Sequence, residues 1–147
     1  MMVAAAGAHA QGNSLKTFVG KYKVSQDNCD MYSLDNHVRA YAEVQNNAKT
    51  GAERLVINFY GSDASMFIIE ADQGLSEDQG TVRTWSMAWT SENTIRQVTT
   101  GASTKRNVVY YEIDSVTKQG NRLILSNELS SGRTARVNKC VLTVDNS

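Results

Sequence analysis

Arg83, Trp85, Met87 and Trp89 stand two residues apart, so on an extended strand they share one face. Two indoles, a thioether and a guanidinium turned the same way would make an aromatic wall with a cationic rim, suited to an apolar or aromatic molecule. The same residues would equally serve a packed core, because aromatics dominate cores wherever they occur. Both readings point the stripe inward. Thr84, Ser86 and Thr90 on the opposite face are small and polar, as a solvent face should be. Tyr22 shares a face with Phe18, Gly20 and Val24 on an earlier strand and is a further aromatic for such a wall.

Other chemistry is sparse. Beyond residue 10, His37 is the one histidine, so a general acid–base pair or a triad would have to be built on it. Asp35 and His37 are two apart, which in a strand puts both side chains on one face; a solvated turn accounts for them as well. No second histidine completes the usual zinc set. Oxygen ligands for a hard cation occur at Asp27, Asn28 and Asp30, and at Asp72, Glu77 and Asp78, but neither stretch has the spacing of a calcium loop. No catalytic residue, metal site or cofactor is assigned.

The two cysteines, Cys29 and Cys140, lie near opposite ends of the chain. An even count in an exported chain predicts a disulfide, here with a sequence separation of 111 residues. Cys29 sits between Asn28 and Asp30, and the negative charge disfavours a reactive thiolate. Export is itself expected from residues 1–10: Val3 to Ala8 are small and uncharged, and Ala8-His9-Ala10 fits the A-x-A pattern before a cleavage site. That segment is expected to be the remnant of an export signal, with residues 11–147 as a single domain in a secreted or periplasmic protein.

Composition narrows the partners. Fifteen Lys+Arg balance 15 Asp+Glu over 147 residues, which argues against nucleic acid, whose affinity rests on neutralising several phosphates. No run approaches the roughly 20 apolar residues of a membrane helix. With 41% hydrophobic and 20% charged residues the chain can build a real core.

Alternation with period two recurs throughout, and there is no proline. Strands are predicted over residues 17–25, 38–44, 53–60, 65–72, 80–90, 93–100, 107–118, 122–129 and 133–144. Gly120-Asn121 suits a tight type II′ hairpin. So many antiparallel strands must hide their edges, and closure does so. The expected fold is all-β: one up-and-down antiparallel barrel of about eight to nine strands, with a β-sandwich as the alternative.

Phe18-Val19-Gly20-Lys21-Tyr22 resembles the Gly-x-Trp motif that opens lipocalins, with Tyr22 where that family carries Trp. The strand series, and a bridge between an early loop and the late chain, are similar to the same calycin group. The resemblance implies a cup for a small apolar molecule. Three functions follow from different classes. The first is an exported, non-enzymatic ligand-binding barrel. The second is an adhesion or inhibitor-type protein using barrel loops on a protein partner. The third is a small enzyme around His37. A solvent-connected cavity beside the tryptophan stripe distinguishes the first.

Overall fold

A computed structural model describes residues 14–29, 38–60, 65–105, 108–132 and 134–146. The 1–10 segment, Asp30, Asp35 and His37 lie outside the described residues, as do the side chains of Asp27 and Asn28. Leu15–Phe18 forms a 3-10 turn in place of the predicted start of the first strand. Ser14 caps it by accepting from the Lys16 N–H at 3.2 Å, and the three-residue spacing of Leu15 and Phe18 buries both. Ten strands follow: β1 Gly20–Cys29, β2 Arg39–Asn46, β3 Glu53–Tyr60, β4 Ser65–Glu70, β5 Gly74–Asp78, β6 Thr81–Ser91, β7 Thr94–Ser103, β8 Val108–Gln119, β9 Arg122–Ser131 and β10 Thr134–Val144.

All ten belong to one antiparallel sheet in the order β4-β3-β2-β1-β10-β9-β8-β7-β6-β5, curled into an open half-barrel. A single sheet disposes of the sandwich alternative. The order is up-and-down, with β1 paired to β10, and the consecutive strands β4 and β5 are the two unpaired edges. Strand β5 exceeds the predicted number. Its Gly-Leu-Ser-Glu-Asp sequence lacks apolar alternation because, as an edge strand, it is almost wholly exposed. It pairs with β6 through a turn at Gln79 and Gly80, both with positive φ (49° and 82°). At the other predicted hairpin, Gly120 has φ 61° and Asn121 does not share the positive sign, as a type II′ turn requires.

The core occupies the β1–β4 side of the half-barrel and one end of β7–β10. Phe18, Tyr22, Leu55, Ile57, Ile69, Ile95, Val116, Leu123, Leu125 and Leu142 are all buried there. Cys29 and Cys140 are opposite one another on β1 and β10 and are joined by a disulfide. Four residues of β1, 25–28, face the single Val141 between this pair and the Val24–Leu142 pair. The bridge therefore fastens the first and last strands where a bulge interrupts their ladder. Among the described residues no helix is long and apolar enough to cross a membrane.

Candidate functional site

Cross-strand register arranges the inward side chains of β6–β10 in rows, and the rows change character one by one. The deepest runs Trp89, Ile95, Val116, Leu125, Cys140 and is apolar. The next runs Met87, Gln97, Asp114, Asn127, Asn138 and is polar on every strand after β6. Then come Trp85, Thr99, Glu112, Leu129, Arg136, and outermost Arg83, Gly101, Tyr110, Ser131. Each strand thus alternates in–out normally but switches polarity halfway along its inner face.

Above the apolar row the half-barrel is hollow. A cavity of about 1110 Å³, open to solvent, is lined by Trp85, Arg83, Gln97, Thr99, Tyr110 and Glu112, with Lys105 and Asp78 at its mouth. Pockets that hold small ligands run to roughly 300–1,000 Å³, so this one is ample. A smaller recess of about 310 Å³ lies against β4, between Met66–Ile68 and Glu112, Asp114, Asn127 and Asn138.

The tryptophan stripe does point inward, but its members do different things. Trp89 stacks on Phe18 with ring centroids 5.6 Å apart and planes 12° from parallel. Met87 and Trp89 both pack against the core. Trp85 instead lines the cavity, its indole N–H donating to Asp72 Oδ1 at 3.4 Å. Arg83 is exposed at the cavity's outer row. Tyr22 is not in the cavity wall: it is buried in the core, donating to the Phe18 carbonyl at 2.8 Å and accepting from Lys118 Nζ at 3.1 Å. Of the five predicted site residues, the cavity therefore brings together Arg83 and Trp85.

Two glycines in extended backbone keep the cavity open. A methyl group at Gly74 would overlap the six-membered ring of Trp85, and one at Gly101 would overlap the Tyr110 phenol. Each ring lies flat over the glycine directly opposite it on the neighbouring strand. This is the pairing by which aromatics cover sheet glycines.

The polar row holds two hydrogen-bonded groups. Asn127 Nδ2 donates to Asp114 Oδ1 at 2.6 Å and to Glu112 Oε2 at 3.2 Å. Gln97 donates to Thr99 Oγ1 at 3.3 Å and accepts from the Glu70 backbone N–H, which ties β7 to the unpaired edge of β4. Glu70 is itself paired with Arg54 at 3.2 Å. Burial pushes the Asp114 carboxyl up from 3.8 to about 6; the Asn127 hydrogen bond pulls the other way, and the Glu112 charge adds to the rise. Because the folded-state value lies above the unfolded one, the stability this group contributes is complete below about pH 3.8 and is lost as pH rises through about 6. Asp114→Asn, which keeps an acceptor for Asn127, is expected to stabilise the protein at pH 7 by about 2–3 kcal/mol and not at pH 4. Denaturant unfolding of both proteins at the two pH values checks this; equal differences at each pH would count against it.

Sequence reasoning missed Glu112, Asp114, Gln97 and Asn127. Their signal was present as polar residues at alternate positions, Gln97 with Thr99 and Glu112 with Asp114, on the same strand faces as the apolar Ile95 and Val116. Only the register shows that these positions align. Among the described residues no group of three or more His, Cys, Asp or Glu could hold a metal ion, so Asp72, Glu77 and Asp78 do not make the calcium site their sequence allowed.

No family model and no curated protein matches the chain. Among solved structures it is similar to secretory abundant heat soluble protein 4 from Ramazzottius varieornatus, at 12% identity over 91% of this chain and 98% of that one, with a TM-score of 0.46. A further secretory abundant heat soluble (SAHS) protein from the same organism, solved from a dimer sample, is similar at 11% identity over 90% of this chain and 98% of that chain, with a TM-score of 0.45. Neither likeness bears on what this chain binds.

Proposed function

We propose that this protein is an exported, non-enzymatic carrier of the calycin type, holding a small molecule in the hollow half of its half-barrel. The observation that carries this reading is the solvent-connected cavity of about 1110 Å³ with the Trp85 and Tyr110 rings laid back in its wall. A chain selected only for stability would fill that space, since packing the interior gains dispersion and burial everywhere else in the molecule. Glycine at 74 and 101 does the reverse: it makes room. The disulfide supports folding in an oxidising compartment outside the cytoplasm. A protein-binding role has no comparable observation behind it, because the exposed large hydrophobics are divided among β3 (Tyr60), β4 (Met66), β5 (Leu75), β8 (Val109 and Tyr111) and β10 (Val137).

A neutral aromatic probe, N-phenyl-1-naphthylamine, tests the reading. It is expected to bind one equivalent saturably and to quench Trp85. Gly101→Ala, which drives the Tyr110 ring into the cavity, is expected to weaken binding about tenfold or more, a difference of about 1.4 kcal/mol, while the thermal midpoint stays within a few degrees. Absence of saturable binding would overturn the carrier reading, as would binding indifferent to Gly101→Ala.

A further inference from the structure

The cavity wall carries exposed charges of both signs, Asp78 among them, and two half-buried carboxylates, Glu70 and Glu112. Its bases, Arg83 and Lys105, stand exposed at the outer row and the mouth, where water and salt screen a charge within about 8–10 Å. Away from these exposed bases stand Glu112 in the cavity wall and Asp114 in the recess beyond it, and no Lys or Arg among the described residues forms an ion pair with either. Glu70, the other inner carboxylate, is already matched by Arg54. What Glu112 and Asp114 share is one amide donor, Asn127, which is neutral. Glu112 faces both the cavity and the recess behind it, so its carboxylate stands where the two spaces meet.

Two aromatic groups line the same cavity as that carboxylate. Trp85 is in the same row as Glu112, two strands away, and Tyr110 is two residues before it on β8. Because the rings are laid over Gly74 and Gly101, each turns a π face rather than an edge to the cavity. Aromatic faces carry negative potential and attract cations, most strongly where water is excluded. A carboxylate sharing a cavity with two such faces discriminates against anions and favours a positive charge attached to an apolar body.

Resting on the carrier reading above, we propose that the cavity takes an organic ammonium ion, its charge set against Glu112 and its apolar body between the Trp85 and Tyr110 rings. An anion would be drawn to the screened mouth but repelled on entering. A neutral ligand would leave the inner carboxylates no better paired than before.

Three eight-carbon probes of different charge separate these cases: octyltrimethylammonium, octanol and octanoate, each titrated calorimetrically into the wild-type protein. The ammonium ion is expected to bind about tenfold or more tightly than octanol, with octanoate weakest. Glu112→Gln should abolish the preference for the ammonium ion while leaving octanol binding unchanged, its fold checked by thermal unfolding. Equal affinities, or a preference for octanoate, would overturn the charge assignment and leave the carrier reading standing. A preference that persists in a folded Glu112→Gln protein would remove Glu112 from its role. If none of the three binds, the ammonium assignment fails, and N-phenyl-1-naphthylamine binding decides the carrier reading. Should Glu112→Gln not fold, the wild-type order of affinities still decides the ammonium assignment.

Discussion

Trp89→Ala is expected to lower the unfolding free energy by about 3 kcal/mol, and Trp85→Ala by about 1 kcal/mol or less. The two indoles lie on the same face of the same strand, so neither local propensity nor orientation separates them. Their surroundings do. Trp89 stacks on the buried Phe18, and every other member of its row (Ile95, Val116, Leu125 and Cys140) is fully buried. Trp89 is itself only half-buried, but its removal strips the ring packed against Phe18 and this row, and both the transfer and the cavity cost apply. Trp85 borders space already open to solvent, so truncation enlarges a cavity without creating one, and the indole forgoes only a long hydrogen bond to Asp72. Urea unfolding of both variants checks the difference. Similar losses above about 2 kcal/mol would mean that the Trp85 region is packed as tightly as the Trp89 region.

Loss of the Cys29–Cys140 bridge is expected to cost about 3–5 kcal/mol. A cross-link spanning 111 residues removes loop-closure entropy from the unfolded chain, worth at most about 4–5 kcal/mol on the chain-entropy scale. Its position adds a native-state reason. The bridge joins β1 to β10, the one pairing in the sheet between strands not consecutive in the chain, at the place where residues 25–28 bulge out of the ladder. Small domains are stable by only about 5–15 kcal/mol, so the loss should be plain in the denaturant midpoint of a Cys29→Ala, Cys140→Ala double variant. A change under about 1 kcal/mol would show that the ladder alone holds the closure.

Much of this architecture was legible beforehand. Period-two alternation located nine of the strands, because a half-barrel with one wet face writes its orientation into every second residue. It also turned Trp85, Met87 and Trp89 inward, and cysteine counting paired Cys29 with Cys140. The tenth strand, β5, was not legible: both its faces are largely exposed, so Leu75, Ser76 and Glu77 carry no pattern. Nor was the division of the interior. Whether an inward residue meets a core or a cavity depends on its neighbours across the ladder, and Asp114 becomes part of a polar row only once Gln97 and Asn127 are known to flank it. Gly101 falls just past the strand predicted to end at residue 100; beside Tyr110 it becomes the place where a ring is stored.

One strand, β6, borders the packed core at Trp89 and a solvent-open hollow at Trp85. Single-tryptophan proteins report on each position in turn: Trp89→Phe leaves Trp85 as the sole indole, and Trp85→Phe leaves Trp89. Acrylamide quenching of their fluorescence measures access directly. Trp85 is predicted to be quenched readily in the free protein and to become shielded when the cavity is filled by N-phenyl-1-naphthylamine, while Trp89 stays shielded throughout. Equal shielding of both indoles in the free protein would contradict the hollow, and ready quenching of Trp89 would contradict the core.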